Sequence, residues 1–151
     1  MNGYSELLRY FYKIGKPLVN KITQGDFSDI DLDKKNIMPL LHVSIGDAAF
    51  PSDSVVSFTV QVGCFDIRDI NNEVNTDSYY GNDNEIDNLN STLAILNRIW
   101  ELMYKDFEEN NITASENPSL QQYTESRKNL LDGWIMTFQV EVPNTDINLC
   151  Q

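Results

Sequence analysis

Residues Asn129–Asn144 read NLLDGWIMTFQVEVPN. Trp134, Met136, Phe138, Val140 and Val142 occupy every second position, and Ile135, Thr137, Gln139 and Glu141 stand between them. Successive side chains of a strand point to opposite faces, so this period of two predicts a two-faced β-strand with one apolar side. Pro143 and Asn144 end it. An apolar face of that length needs a cover, and the chain offers one upstream. Ile86, Leu89, Leu93, Leu96, Trp100, Met103 and Phe107 recur at steps of three and four, with Ile99 and Leu102 widening the stripe. That spacing predicts a long amphipathic helix over about 84–108, laid across the apolar face of the strand. Asn82 followed three residues later by Glu85 reads as its capping pair. Asn110 or Asn111 would end it in the left-handed conformation. The same stripe could form a coiled-coil seam, but it stops after three heptads.

Working outward, Leu41, Val43 and Ile45 alternate with His42 and Ser44, which predicts a second strand. A third runs through VVSFTVQVGCF, with Val56, Phe58, Val60, Val62 and Cys64 on one face. GDAAFPSDS between them carries Gly46, Pro51 and small polar residues and reads as a loop over 47–54. Tyr4, Leu7, Leu8, Phe11 and Ile14 follow helical spacing, with Gly15 and Pro17 as terminators. Residues 24–37 and 66–81 read as polar connections. Ile112–Ser115 and Leu120–Thr124 read as short edge strands on either side of Pro118. Together these elements predict one α+β domain over residues 1–151. It has an antiparallel sheet, both helices packed on one face, and extended loops at 47–54 and 66–81.

Composition narrows the function. The 151 residues carry a net charge of −12 with 11 Lys and Arg, the opposite of a surface that neutralises phosphates or an anionic membrane. No apolar run approaches the ~20 residues that cross a bilayer. The N-terminus, MNGYSELLRYFYKIGK, lacks the basic start and apolar block of a signal peptide, so synthesis in a reducing cytoplasm is expected. The glycosylation triplets at Asn90 and Asn111 therefore carry no weight. Cys64 and Cys150 match no metal or disulfide spacing. His42 with Ser44 could begin a catalytic triad, but no nucleophile elbow accompanies it. Asp29, Asp31 and Asp33 sit at the opening spacings of a calcium loop. Lys34 and Leu40 then occupy the turn-glycine and bidentate-glutamate positions, so a solvated acidic loop is the simpler reading. No enzyme activity, metal or other cofactor is expected. The aromatics between elements point elsewhere. Phe50 and Pro51 in one loop, and Tyr79 and Tyr80 in the other, are candidate protein-contact residues, together with Gln139 and Glu141 on the polar strand face.

The run DIRDINNEVNTDSYYGNDNEIDNLNSTLAILNRI, followed by LLDGWIMTFQVEVPNTDINLC, resembles a family of small structural proteins of tailed bacteriophages of gut Bacteroidetes-type hosts, including crAss-like phages. The likeness covers roughly residues 40–150 and is most specific at the GNDNEIDNLN loop–helix junction. The order of elements is also similar to tail-completion, or tail-terminator, proteins, whose α+β subunits form rings between head connector and tail. The resemblance implies a non-enzymatic virion protein of the head–tail region. It would form a homo-oligomeric ring of sixfold or twelvefold order, touching connector, portal-side or tail neighbours, with DNA passing through the lumen unbound. The alternative is a small cytoplasmic adaptor that grips one partner through the 66–81 loop.

Overall fold

The computed structural model describes residues 3–26, 38–68, 79, 84–110, 112–115, 117–125 and 131–143. Its elements run α1 (Gly3–Gly15), β1 (Lys21–Gln24), β2 (Leu40–Ser52), β3 (Val55–Ile67), α2 (Glu85–Glu109), β4 (Thr113–Ala114), β5 (Ser119–Glu125) and β6 (Leu131–Pro143). They form an α+β fold built on one sheet of order β1-β2-β3-β6. β4 and β5 share the outer edge of β6, beside Val140–Glu141 and Leu131–Thr137 respectively. The two short strands around Pro118 are thus where the sequence suggested.

At the centre, β3 and β6 pair antiparallel without a register break from Val55↔Pro143 to Ile67↔Leu131. The period of two is realised here. Val56, Phe58, Val60, Val62 and Cys64 of β3 join Met136, Phe138, Val140 and Val142 of β6 in one buried cluster. Leu7 and Phe11 of α1 and Leu96, Ile99, Met103 and Phe107 of α2 cover it. Phe138 sits beneath both helices, with ring centroids 6.1 Å from Phe11 and 6.0 Å from Trp100. Each such side chain contributes ~1.5–3 kcal/mol by leaving water. No helix among the described residues is long and apolar enough to cross a membrane.

Four expectations change. The sheet is not wholly antiparallel, because β1 pairs parallel with Leu40–Val43 of β2. The long connection between β1 and β2 allows this, since parallel neighbours need a crossover that a tight turn cannot make. Residues 47–54 are not a loop: β2 runs to Ser52, and only Asp53 and Ser54 form the turn. Two register shifts, between Ile45 and Ala48 and between Ala49 and Ser52, absorb the small polar residues that had read as a break.

Helix α2 starts at Glu85 after Asn84, which makes no side-chain cap, and Asn82 of the expected capping pair lies outside the described residues. At the other end Asn110 has φ −105, not left-handed, and its amide returns to Asp106 and Phe107 carbonyls, while Asn111, the other expected terminator, lies outside the described residues. The buried line of α2 is also turned. It runs Asn88, Thr92, Leu96, Ile99, Met103, Phe107 and leaves Ile86 40% exposed.

A smaller cluster lies on the opposite face, where Met38, Leu40, Phe65 and Leu131 pack with Ile67, Tyr123 and Ile135. Gly133 makes it possible. It pairs with Phe65 on one side and Tyr123 on the other, and those two rings meet at 5.2 Å. A Cβ on Gly133 would stand 1.9 Å from the Cys64 carbonyl oxygen, so only glycine lets the strands approach this closely.

Candidate interaction surfaces

The outer half of β2 is the most exposed piece of regular structure. Every residue from Gly46 to Ser54 is exposed, with Phe50 at 74%. β1 covers only Leu40–Val43, so beyond Val43 the outer edge of β2 has no strand neighbour among the described residues. Bulges and Pro51, which has no N–H to offer, blunt that edge against indiscriminate strand addition. Phe50 and Pro51, expected at a loop tip, therefore stand on a strand edge. Asp47 and Asp53 accompany them, and no Lys or Arg occurs from Gly46 to Ile67.

Tyr79 is 84% exposed, while Tyr80 lies outside the described residues, as does most of 66–81. Gln139 and Glu141 are exposed on the sheet face away from the helices, as their parity predicted. They lie beside β4, where the Gln139 amide donates to Ser115 Oγ at 3.0 Å. Half-buried Ser57, Thr59, Gln61 and Thr137 continue the face, with Gln61 Nε2 donating to Thr137 Oγ1 at 3.5 Å. Ser57 of β3 pairs with both Ala49 and Glu141, so Phe50 and Glu141 lie at the same end of the sheet, two strands apart.

His42 is not on an open polar face. It is 1% exposed, with Nδ1 2.7 Å from Thr23 Oγ1 and Nε2 2.9 Å from the Gly25 carbonyl. A carbonyl only accepts, so Nε2 carries the proton, and the imidazole fastens β1 to β2. Its bonds go to Thr23 and Gly25, and Ser44 plays no part in them. Asp29, Asp31 and Asp33 lie outside the described residues. Trp134 is a packing residue whose Nε1 donates to the Leu89 carbonyl at 3.0 Å.

Sequence reading missed a polar lock at the start of α2. Asp132 is fully buried and takes two bonds from Arg68, Nε to Oδ2 at 3.1 Å and Nη2 to Oδ1 at 2.5 Å. Arg68 also reaches Glu85 at 3.3 Å. Asn88 Nδ2 donates to the Ile67 carbonyl at 2.9 Å, and Thr92 Oγ1 donates to the Asn88 carbonyl at 2.7 Å. A forked guanidinium on a buried carboxylate supplies geometry as well as charge. The cluster fixes where β3 ends and α2 begins. The signal was present: Asp132 shares the parity of Trp134, so it had to face the helix.

The second missed feature is electrostatic. Four of the 11 Lys and Arg lie within residues 1–21, against one carboxylate, Glu6. Arg9, Lys13, Lys16 and Lys21 are all exposed. Beside them α1 and β1 enclose an apolar groove of about 290 Å³, lined by Leu8, Arg9, Tyr12, Ile22, Thr23, Gln24 and Val43. Lys16 Nζ stands 5.5 Å over the Tyr12 ring, at the groove's margin. Gly15 lets the end of α1 settle onto this edge, since a Cβ there would meet Leu41 Cδ2 at 2.6 Å. A larger cavity of about 430 Å³ lies between α2 and β5, floored by Leu93, Trp100, Leu120 and Met136 and rimmed by Asn90 and Asn97.

Buried Cys64 and half-buried Tyr10 are both held in their protonated forms. Burial, with a smaller contribution from the Asp66 charge, pushes the Cys64 thiol well above its ordinary range. Burial also raises the Tyr10 phenol, which donates to Asp106 Oδ2 at 2.8 Å. Neither arrangement activates a nucleophile. No protein-family model matches the chain, and no curated protein matches it either.

Proposed function

We propose that this chain is a non-enzymatic, self-assembling structural subunit of a tailed-phage virion, acting in a ring of the head–tail connector or tail-completion region. The observation that carries the reading is the exposed half of β2. A large aromatic held in solvent on a blunted strand edge adds nothing to its own core and fits a contact made only on assembly. The resemblance in the loop–helix junction and the GW strand supplies the virion context. The net charge of −12 supports it too, because an acidic lumen lets DNA slide without adhering. The open polar sheet face, with Gln139 and Glu141, is available to a neighbouring connector or tail protein.

Purified virions and the isolated chain test this together. The reading expects the polypeptide in virions in multiple copies, and rings of sixfold or twelvefold order by negative-stain microscopy at high protein concentration. A chain that is absent from virions and monomeric at every concentration overturns it.

A further inference from the structure

The β1–β2 edge of the sheet has a step. β1 covers Leu40–Val43, and past that point no strand among the described residues covers β2 as far as Ser52. Charge divides at the same place. The covered half carries Arg9, Lys13, Lys16 and Lys21 against Glu6 and Asp26, and the bare half carries Asp47 and Asp53 with no basic residue. None of Lys13, Lys16 and Lys21 makes an ion pair among the described residues. The covered half also holds the apolar α1–β1 groove, and the bare half holds exposed Phe50. Each half therefore offers what the other lacks.

We propose that two copies of this chain pair edge to edge about a two-fold axis, each seating Phe50 in the α1–β1 groove of the other against Leu8, Tyr12 and Ile22. The axis follows from the step and from the charges. Stacking the edges in the same direction sets lysine against lysine and aspartate against aspartate. Reversing one copy turns the acidic outer half of β2 toward the partner's Lys16 and Lys21 and fits each β1 beside the other's bare β2. Since β1 runs parallel to β2, reversal also sets it antiparallel to the partner's bare strand, the more stable pairing. Phe50 cannot serve its own groove. It lies seven residues beyond Val43 along a strand, a span of about 20 Å. An isologous contact of this kind is self-complementary and closed. It is not the head-to-tail contact that closes a cyclic ring; it would join two such rings back to back, each with a heterologous interface of its own. This pairing rests on the self-assembly part of the functional reading.

The test places a benzophenone amino acid at Phe50 in the full-length chain and mixes isotope-labelled with unlabelled copies, so that inter-copy cross-links are identified by mass. Cross-links are expected to Leu8–Tyr12 and Ile22–Gln24 of the other copy. Sedimentation velocity is expected to show dimers weakened about 30-fold by Phe50→Ala, a hot-spot-sized effect. Phe50 is exposed, so the variant should keep the wild-type circular dichroism and melting temperature. Cross-links to the α2–β5 cavity or any other surface of a second copy overturn the pairing and leave self-assembly standing. A chain monomeric at millimolar concentration, with no inter-copy cross-link, overturns both.

Discussion

β2 and β3 are the two strands of one hairpin, each 13 residues long, and they meet different fates along the same ladder. β3 keeps its alternation to the turn, burying Val56 and Phe58 as well as Val60 and Val62. β2 buries Leu40–Val43 and then exposes everything from Gly46 onward. Their residues differ less than their neighbours do. β3 has β2 on one side, β6 on the other and a helix layer above, whereas among the described residues outer β2 has only β3. Position in the layers, more than side-chain type, decides what a residue contributes to stability. Phe58 and Phe50 make the matched pair: Phe58 is 7% exposed and Phe50 74%.

Emptying the Phe58 site should have the largest effect. Phe58→Ala is expected to cost ~4 kcal/mol of unfolding free energy, the scale for a buried phenylalanine, lowering the melting temperature by about 10 °C. Urea titration with an unchanged m-value checks it. A loss below about 1 kcal/mol would mean that β3 near the turn is as free as β2, and the contrast would vanish.

Gly133→Ala should follow at ~3 kcal/mol, since the new methyl meets backbone atoms of Cys64 and Phe65 rather than a movable side chain. Its signature separates it from a cavity. Truncating Tyr123 to Ala in the same background should not relieve the loss, because the clash is with β3 backbone and not with the ring above.

Asp132→Asn should cost about 2 kcal/mol by taking from Arg68, itself only 12% exposed, its buried carboxylate and leaving the partly exposed Glu85 to face it. Adding Arg68→Met should recover part of it, because removing both charges avoids stranding one. Full additivity in that double-mutant cycle would break the lock.

These three sites also show how far the sequence could be read. β6, β3 and the helices were legible because period two and period 3.6 each bury a face, and Phe138 lies under both helices where those periods put it. α2 came out rotated because Asn88 and Thr92 enter the core as polar residues with partners, which a hydrophobic pattern scores as surface. β1 was missed because KITQ is too short to show a period and takes its place from pairing with β2 and from the His42 bonds. Outer β2 read as a loop because Gly46, Pro51 and two aspartates are turn residues locally. Only the continuous partner strand β3, with bulges to take up the slack, makes it a strand. Of the candidate contacts, exposure was legible at Phe50, Gln139 and Glu141. The α1–β1 groove was not, because it joins residues that only the parallel strand brings together.

A smaller effect concerns α1. Tyr10 is held above the ordinary tyrosine range by burial first, then by its bond to Asp106 and that group's charge. In the unfolded chain the phenol ionises near pH 10, while in the folded chain it stays protonated. Above about pH 10 the unfolded state therefore binds fewer protons, and stability falls as pH rises. Tyr10→Phe should cost about 1 kcal/mol at pH 7 through the lost hydrogen bond and should make the alkaline decline shallower. An equally steep decline in the variant would remove Tyr10 as its source.

Phe50→Ala should change the unfolding free energy of the monomer least, by no more than about 0.5 kcal/mol. The expectation follows from exposure alone: the ring is in water in the folded subunit as it is in the unfolded chain, so truncation removes little burial. Set beside Phe58→Ala, it gives two phenylalanines on one hairpin whose truncations differ roughly eightfold in cost. The measurement belongs at protein concentrations low enough to keep the chain monomeric, because linkage to assembly would otherwise add to the apparent stability of the wild type. If Phe50→Ala cost 2 kcal/mol or more in dilute solution, the ring would be packing within its own subunit. Outer β2 would then belong to the core, and an aromatic reserved for a second copy would have no physical basis.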